Sequence, residues 1–301
     1  MKNISGRFME LQNFSVNDGN GIRTIIFFAG CPLQCKWCSN PESITNSNRI
    51  AHYEKTCIKC GKCAAVCPKG VSYSLNNPME RNKCKSCGLC IEVCPTNSRK
   101  SLIHDYTSKQ IVKIIEKQKI FYRYSGGGVT FSGGEATQQQ DILRELVYEL
   151  YDQAIDLAIE TSGYFDFEAV KDILEKMNLV FVDIKHMDPN KHKLFTGVSN
   201  EKILKNISRL KELKVPVVVR IPVIEGVNSD IDNIRKTAQF VKENINVPKI
   251  EILSYHSLGD GKYDALGIEK PSSKFITPTS EHLNTLYKII ENEGVKVVSY
   301  K

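Results

Sequence analysis

The residues of this 301-residue chain with the clearest chemical potential are its eleven cysteines, which all lie between Cys31 and Cys94. Their odd number and tight spacing argue against a disulfide framework and favour metal or cluster ligation. Three form the run Cys31-Pro-Leu-Gln-Cys35-Lys-Trp-Cys38, whose thiolates can hold three corners of a cubane iron–sulfur cluster. No fourth cysteine lies near enough to complete this set, which predicts an open iron where a ligand binds and chemistry occurs. The alternative is a structural zinc site completed by a nearby His or Asp.

The other eight cysteines form two matching runs, the only clear internal repeat of the sequence. Each run has the spacing Cys-x2-Cys-x2-Cys-x3-Cys-Pro of bacterial two-cluster ferredoxins, in which the fourth cysteine of one run ligates the other cluster. Two [4Fe-4S] clusters are therefore expected. Their predicted ligand sets are Cys57, Cys60, Cys63 and Cys94 for one cluster, and Cys84, Cys87, Cys90 and Cys67 for the other. Fully ligated clusters can relay electrons or serve a purely structural role, and the spacing does not distinguish the two.

The elements that must position these cysteines fall into three zones. Residues 51–101 lack long apolar periodicity, so they cannot build a hydrophobic core alone and would need metal to fold. Residues 102–301 alternate strand-like and helix-like segments, which predicts parallel strands joined by right-handed crossover helices. The count is nearer six units than eight, so we expect an α/β fold with an open, partial (β/α)6 barrel. The predicted domains are a core of residues 1–50 and 102–301 and a ferredoxin-like insert of residues 51–101.

The hydrophobic periodicity places the elements of the core. The predicted strands cover residues 24–28, 129–132, 156–160, 179–184, 215–221, 249–253 and 295–300. The predicted helices cover residues 141–152, 165–177, 200–213, 229–244 and 279–293.

Polar residues and glycines follow several of these strands, where parallel α/β folds place their sites. Glycines 133 and 134 allow close backbone approach to a ligand, and a lysine at position 185 could hold a carboxylate. Taken alone, a Gly-Gly-Glu is more often a turn, a strand-end charge is often only solvated, and a single His is usually structural. The strand-end candidates are Gly133, Gly134, Glu135, Asp183, Ile184, Lys185, Arg220 and His256.

The pattern C-x3-C-x-aromatic-C, with Trp37 as the aromatic residue, resembles the signature of the radical S-adenosylmethionine (SAM) superfamily. That resemblance implies the radical SAM type of partial barrel, with Cys31, Cys35 and Cys38 as catalytic cluster ligands. In that family the open iron binds the amino and carboxylate groups of SAM. One-electron reduction then gives methionine and a 5′-deoxyadenosyl radical, which abstracts a hydrogen atom.

Three further segments narrow the resemblance to the glycyl radical enzyme activating enzymes, over nearly the whole chain. They are Asp18-Gly19-Asn20-Gly21-Ile22-Arg23-Thr24, Cys38-Ser39-Asn40-Pro41-Glu42 and Tyr255-His256-Ser257-Leu258-Gly259. The insert is similar to that of the longer members. The resemblance implies hydrogen removal from a glycine α-carbon of a partner glycyl radical enzyme, with residues 18–23 facing the partner's glycine loop. The residues expected to bind SAM are Trp37, Cys38, Ser39, Gly133, Gly134, Glu135, Asp183, Ile184, Lys185, Arg220 and His256.

Two departures from the family pattern matter. Asn20 stands where the family usually has Pro, which predicts a more flexible loop. Glu160-Thr161 stands where the short members have Asp-Thr, part of a monovalent cation site that includes the aspartate at the position of Asp183. Because the extra methylene shifts the carboxylate, a monovalent cation near Glu160, Thr161 and Asp183 is left open.

Composition bounds the remaining partners. Hydrophobic residues make up 41% and charged residues 25%, which is ordinary for a globular protein. No apolar run reaches the ~18 residues of a membrane span, and residues 1–20 lack the apolar segment of a signal peptide, so a cytoplasmic monomer without a membrane partner is expected. The formal charge of +7 falls to about +2 once cluster thiolates are counted, which disfavours nucleic acid. A flavodoxin or ferredoxin-type protein is the expected electron donor.

Two other functions compete with the activating enzyme. A radical SAM enzyme acting on a small molecule or peptide would form 5′-deoxyadenosine over many turnovers with that metabolite. An electron carrier without SAM chemistry would have no use for the Gly-Gly-Glu, Asp-x-Lys and Tyr-His strand ends.

Overall fold

The computed structural model describes residues 2–44 and 49–300. Its strands are β1 (Ser5–Ser15), β2 (Arg23–Phe28), β3 (Ile50–His52), β4 (Arg99–Ser101), β5 (His104–Thr107), β6 (Gly128–Gly133), β7 (Asp156–Thr161), β8 (Leu179–Asp183), β9 (Val217–Val223), β10 (Lys249–Ser254) and β11 (Lys296–Val297). Its α-helices are α1 (Lys62–Ala65), α2 (Pro78–Arg81), α3 (Leu89–Glu92), α4 (Ser108–Glu116), α5 (Lys119–Ser125), α6 (Gln140–Asp152), α7 (Phe167–Leu174), α8 (Pro189–Thr196), α9 (Glu201–Leu210), α10 (Ile231–Asn244), α11 (Asp260–Leu266) and α12 (Ser280–Asn292).

Nine of the strands in the described residues form one sheet, in the order β11-β10-β9-β8-β7-β6-β2-β1-β5. From β2 to β11 every neighbouring pair is parallel, whereas β1 runs antiparallel to both β2 and β5. The two end strands of this order, β11 and β5, do not pair with each other, so the sheet is open. The predicted α/β architecture with a mostly parallel sheet is confirmed.

The helices cover the sheet because their apolar residues repeat at helical spacing. In α6 the buried residues are Ile142, Leu143, Leu146, Val147 and Leu150, the face that the sequence predicts. The parallel strands are apolar on both faces, as in β8, where residues 179–182 are all buried. Val180 and Val182 belong to the largest hydrophobic cluster, which includes the buried faces of the helices, whereas Leu179 and Phe181 belong to a smaller cluster of their own. Both clusters hold the strands of the sheet in position.

Several elements differ from the sequence prediction. The eleven-residue β1 and the short β5 were not predicted, because both contain many polar residues; β5 forms one edge of the sheet and β1 lies next to it. The last strand is only two residues long rather than six. Strand β9 continues to Val223, which places Arg220 in the middle of the strand and not at its end, as the sequence analysis had it.

Residues 51–101 have a different construction. Their helices α1, α2 and α3 have four residues each, and β3 and β4 form a separate two-stranded sheet. Gly61 and Gly88 precede α1 and α3 with φ of 76° and 86°, equivalent left-handed positions in the two cysteine runs. Across the described residues, no helix has the length and apolar character needed to cross a membrane.

Candidate active site

The predicted site residues follow strands whose carboxyl ends lie at one edge of the sheet. Register fixes this arrangement, because Phe28 at the end of β2 pairs with Gly133 at the end of β6. The cysteine triplet follows β2, and the Gly-Gly-Glu segment follows β6. Asp183 ends β8, and His256 lies two residues after β10. The fold therefore collects segments that are far apart in sequence.

Backbone hydrogen bonds anchor the loop that carries the cysteine triplet. The Gln34 amide donates to the Thr196 carbonyl (2.7 Å), and the Lys36 amide donates to the Phe195 carbonyl (3.0 Å). Both acceptors belong to the last turn of α8. The end of α8 thus fixes the loop between its first and last cysteine without using a thiol.

The three thiols of the triplet lie close to one another in a shielded environment. Burial, together with nearby negative groups that include the other thiols of the triplet, raises the pKa of Cys31 and Cys35 to about 12. The amide of Asn40 donates to Cys38 Sγ (3.4 Å). Three thiolates so placed repel one another unless a cationic centre binds them, and amide hydrogen bonds to sulfur are typical of cluster ligands.

Helix α11 fastens the segment that follows Cys38. Tyr263 donates its hydroxyl to the Cys38 carbonyl (2.7 Å). Lys262 Nζ bonds both Asn40 Oδ1 and Glu42 Oε1, each at 2.6 Å, and the Glu42 side chain is almost fully buried. Lys262 and Tyr263 were not predicted as site residues, and the one sequence signal for them is that they closely follow the segment 255–259.

The glycines of the Gly-Gly-Glu segment are required by the neighbouring strand. A Cβ on Gly133, whose φ is +115°, would lie 2.3 Å from the Phe28 amide nitrogen. The Gly134 amide donates to the Phe28 carbonyl (2.8 Å), and the Glu135 amide donates to the Gly30 carbonyl (2.9 Å). These contacts join the Gly-Gly-Glu segment directly to the start of the cysteine loop.

The Glu135 carboxylate is fully buried and faces the end of β7. It accepts hydrogen bonds from the hydroxyls of Thr137 (2.8 Å), Thr161 (2.8 Å) and Ser162 (2.6 Å), and from the Ser162 amide (2.8 Å). This side chain thus ties the segment after β6 to the end of β7.

Lys185 lies between the Asp183 carboxylate and the cysteine thiols. Its ammonium is 2.6 Å from Asp183 Oδ2 and only 11% exposed. Burial opposes the charge, but Asp183 and the thiolates of Cys35 and Cys31 raise the pKa of Lys185 above its usual value. Asn228 donates to the Lys185 carbonyl (2.8 Å), while Ile184 between the two charges is buried. A permanent cation therefore stands beside the triplet.

Arg220 is buried among acidic groups. Its guanidinium bonds Glu251 Oε2 (2.7 Å), pairs with Glu160 and stacks over the Phe181 ring (3.6 Å to the centroid). The loop of residues 16–22 also reaches it, since Asp18 Oδ1 lies 4.0 Å from its Nη1. The structure thus brings the predicted partner-facing loop to Arg220, whose charge is already balanced by carboxylates.

The remaining predicted SAM contacts occupy different environments. Trp37 is buried, and its ring centroid lies 5.8 Å from those of both Phe195 and Phe275. Ser39 and His256 are exposed. The segment containing His256 approaches Ser39, because a Cβ on Gly259 would lie 2.8 Å from the Ser39 carbonyl oxygen.

The three residues considered for a monovalent cation already have protein partners. Glu160 pairs with Arg220, Thr161 donates to Glu135, and Asp183 pairs with Lys185. Burial raises the pKa of Glu160, although Arg220 opposes the shift. Because side-chain cations neutralise both carboxylates, these three residues do not fit a monovalent cation.

The eight cysteines of residues 51–101 line two small cavities. One cavity is lined by Cys57, Cys60, Cys63 and Cys94, and the other by Cys67, Cys84, Cys87 and Cys90. Cys94 Sγ lies 3.2 Å from Ser98 Oγ, and Arg99 donates to Cys63 Sγ (3.5 Å). Each cavity thus draws three cysteines from one run and the fourth from the other run.

Comparisons with known proteins agree with the site described above. The radical SAM superfamily pattern matches residues 25–241. The trans-4-hydroxy-L-proline dehydratase activating enzyme of Clostridioides difficile is 40% identical over 288 residues, covering 94% of this chain and 95% of that protein. The chain belongs to the glycyl radical enzyme activating enzymes of the radical SAM superfamily.

Two further similarities fit this membership. The choline trimethylamine-lyase activating enzyme of Oleidesulfovibrio alaskensis is 38% identical and covers 87% of each chain. The solved structure of Streptococcus suis SuiB bound to precursor peptide SuiA has a TM-score of 0.55 at 13% identity, over 91% of this chain and 47% of that one, and shows the shared fold alone.

Membership implies a [4Fe-4S] cluster and SAM as cofactors, an activity of the oxidoreductase type and a glycyl radical enzyme as the protein partner. The residues present fit the cluster and SAM. Three shielded thiols would be available as three iron ligands, and among the described residues the other eight cysteines line the cavities of residues 51–101. The Lys185 ammonium, which interacts with the thiols of Cys35 and Cys31, would place a cation beside such a cluster.

Proposed function

We propose that Cys31, Cys35 and Cys38 ligate the cluster, and that the sheet edge beside them binds SAM for hydrogen abstraction from a glycine of the partner. The observation that carries this proposal is the convergence of three shielded thiols and the Lys185 ammonium at the carboxyl edge of the parallel sheet. When bound, the cluster and SAM supply the 5′-deoxyadenosyl radical. The chain itself has to bind, orient and shield the reactants.

The roles of the other residues follow from their positions. Lys185 is placed to hold the SAM carboxylate, with Asp183 and Ile184 fixing its strand end, and the backbone at Gly133 and Gly134 is placed to receive the amino group. Ser39 and His256 are both exposed, and Gly259 of the His256 segment packs against Ser39, so both residues are assigned to the outer part of the same ligand.

Three further side chains are assigned to support this pocket. Trp37 closes the apolar side of the cysteine loop. Glu135 and Arg220, whose polar groups are engaged by the protein, hold the walls of the site. For these two residues we propose a positioning role, where the sequence predicts direct contact with SAM.

The partner's glycine is assigned to the loop of residues 18–23. Arg23, the first residue of β2, anchors this loop. It donates hydrogen bonds to Thr130 (2.6 Å), Asp156 (2.9 Å) and the Asn20 carbonyl (3.1 Å). These bonds restrain the loop despite the absence of Pro at position 20. A restrained loop can place a flexible glycine segment close to the radical source.

For residues 51–101 we propose a ferredoxin-like insert in a core formed by residues 1–50 and 102–301. Its two further [4Fe-4S] clusters would use the four cysteines that line each cavity. As in bacterial ferredoxins, each cluster would take three ligands from one cysteine run and the fourth from the other. This gives three clusters in all. A flavodoxin or ferredoxin-type protein is the proposed electron donor, and the clustered thiols favour the reducing cytoplasm as the compartment of a monomeric enzyme.

The test uses anaerobically reconstituted protein with SAM and a strong reductant, with Cys38→Ala as the control. Release of 5′-deoxyadenosine by the unaltered protein alone supports the proposal. Absence of release from iron-replete protein contradicts it. A candidate glycyl radical enzyme is then added, and a glycyl radical signal in its electron paramagnetic resonance spectrum identifies the partner. Relatives of 40% and 38% identity are named for different enzymes, so overall identity does not select among partners.

A further inference from the structure

The positive charge of the chain is concentrated in the insert. Residues 51–101 contain nine Lys and Arg against three Asp and Glu, so they hold six of the seven formal excess charges of the whole chain. The core is almost balanced, although it is five times longer. All seven lysines of the insert are exposed. Two clusters with four thiolates each would lower the excess of this region by about four charges, and the exposed lysine ammonium groups would still leave it positive.

Four of these lysines line the two cysteine cavities. Lys59 and Lys62 lie on the first cavity, and Lys69 and Lys85 lie on the second. None of the four has an ion-pair partner within the described ranges. We call these residues the insert lysines. They are free to meet negative charge from outside the chain.

Exposed apolar side chains accompany the insert lysines in both cysteine loops. Ile58 is 64% exposed and Leu89 is 41% exposed, and each lies between two cysteines of its run. Cys60 and Cys87 are themselves exposed. Apolar contacts surrounded by charge are typical of protein interfaces, and a small interface of this kind suits a transient electron-transfer encounter.

We infer that the insert lysines form the docking surface for an acidic one-electron carrier protein. The inference rests on the proposed function, because it requires iron–sulfur clusters at the two cavities. Opposite charge accelerates encounter and orients the carrier, while Ile58 and Leu89 supply contact next to exposed cysteine ligands. The docked carrier gives up one electron to the insert, and no bond forms or breaks in this step.

Helix length and the type of the neighbouring side chains favour an acidic protein over a nucleic acid as the partner of this surface. A nucleic-acid surface combines basic residues with aromatic side chains or a helix that can enter a groove. The insert has no helix longer than four residues among those described. One exposed aromatic side chain, Tyr73, lines the first cavity, and the exposed apolar residues between the cysteines, Ile58 and Leu89, are aliphatic.

The test compares two variants of the reconstituted enzyme with equal loss of charge. K59Q/K62Q/K69Q/K85Q neutralises the insert lysines, and K205Q/K211Q/K214Q/K288Q neutralises four exposed lysines of the core as a matched control. The probe is a photoreduced flavodoxin of acidic net charge. Its binding and the bleaching of the cluster absorbance are followed at low and high salt.

We expect the insert variant alone to bind flavodoxin more weakly, to be reduced at least about tenfold more slowly at low salt and to lose most of its salt dependence. Equal behaviour of the two variants would overturn the inference, as would loss of DNA binding in place of flavodoxin binding. A neutral photoreduced deazaflavin separates the two levels of the argument. If it supports 5′-deoxyadenosine release in every variant, a failure with flavodoxin concerns docking, whereas absence of release throughout contradicts the proposed function itself.

Discussion

The cysteine triplet of the core and the cysteine runs of the insert hold their thiols by different means. The triplet loop is bound to α8 through the carbonyls of Thr196 and Phe195 and to α11 through Tyr263. The insert has four-residue helices and a small apolar cluster that includes two of its own cysteines, Cys63 and Cys90.

This difference indicates which interactions keep each region folded. In the core, backbone contacts to packed helices fix the loop, so the proposed cluster would meet a prearranged site. In the insert, two of the proposed cluster ligands are themselves part of the small apolar cluster, so metal binding would contribute folding free energy. A radical site needs fixed geometry around an open iron, while a fully ligated cluster can organise its own surroundings.

The largest expected effect separates single cysteines of the two regions. Cys31→Ala should reduce 5′-deoxyadenosine release to background even with a small reductant, because the open cluster loses a ligand. Cys60→Ala should retain release with the same reductant, because Cys60 lines a cavity of the insert and is not part of the triplet. Both are measured after anaerobic reconstitution with iron quantified. Equal loss in the two variants would remove the distinction between the regions.

Removal of iron should act on the insert first. Chelation is expected to expose the chain to trypsin at lysines such as Lys59 and Lys85, because little apolar core remains to hold residues 51–101. The core should persist as resistant fragments with its helical circular dichroism. Mass spectrometry of the digest locates the cuts, and early cleavage within the parallel sheet would contradict the comparison.

Substitutions of Glu135 test how much its hydrogen bonds contribute to the stability of the core. Glu135→Ala should lower the free energy of unfolding by on the order of 3 kcal/mol, because several buried donors at Thr161 and Ser162 lose their acceptor. Glu135→Gln keeps one acceptor oxygen and should cost less. Urea denaturation under anaerobic conditions gives both values. A change of less than about 1 kcal/mol in the alanine variant would show that these bonds do not hold the strand ends.

Lys262 offers the smallest and most specific test. Lys262→Met removes the ammonium that joins Asn40 and Glu42, and should lower 5′-deoxyadenosine release by about 10–100-fold with the cluster still bound. Lys262→Arg keeps the charge and should recover part of the rate. A shift in the electron paramagnetic resonance spectrum of the reduced cluster should accompany the loss in the methionine variant. An unchanged spectrum and rate would mean that α11 does not position Cys38.

Local patterns made much of the molecule predictable. The alternation of segments indicated parallel strands, and all five predicted helices are present, with ends that differ by up to a few residues. Polar β1 escaped prediction because its stability comes from pairing with β2, which no local pattern displays. Gly133 was attributed to ligand approach, yet the backbone of β2 already requires a glycine there.

The sequence by itself determined the cysteine spacing, the likeness to the activating enzymes and the strand ends that carry charged residues, because each is encoded within a few neighbouring positions. Only the tertiary structure decided that Glu135 binds protein donors, that Arg220 is balanced by Glu160 and Glu251, and that Lys262 reaches Glu42 across 220 residues of chain. Such pairings depend on strand register and on the packing of loops that are distant in sequence. No local period or motif encodes them, because the contact exists only after the whole core has formed.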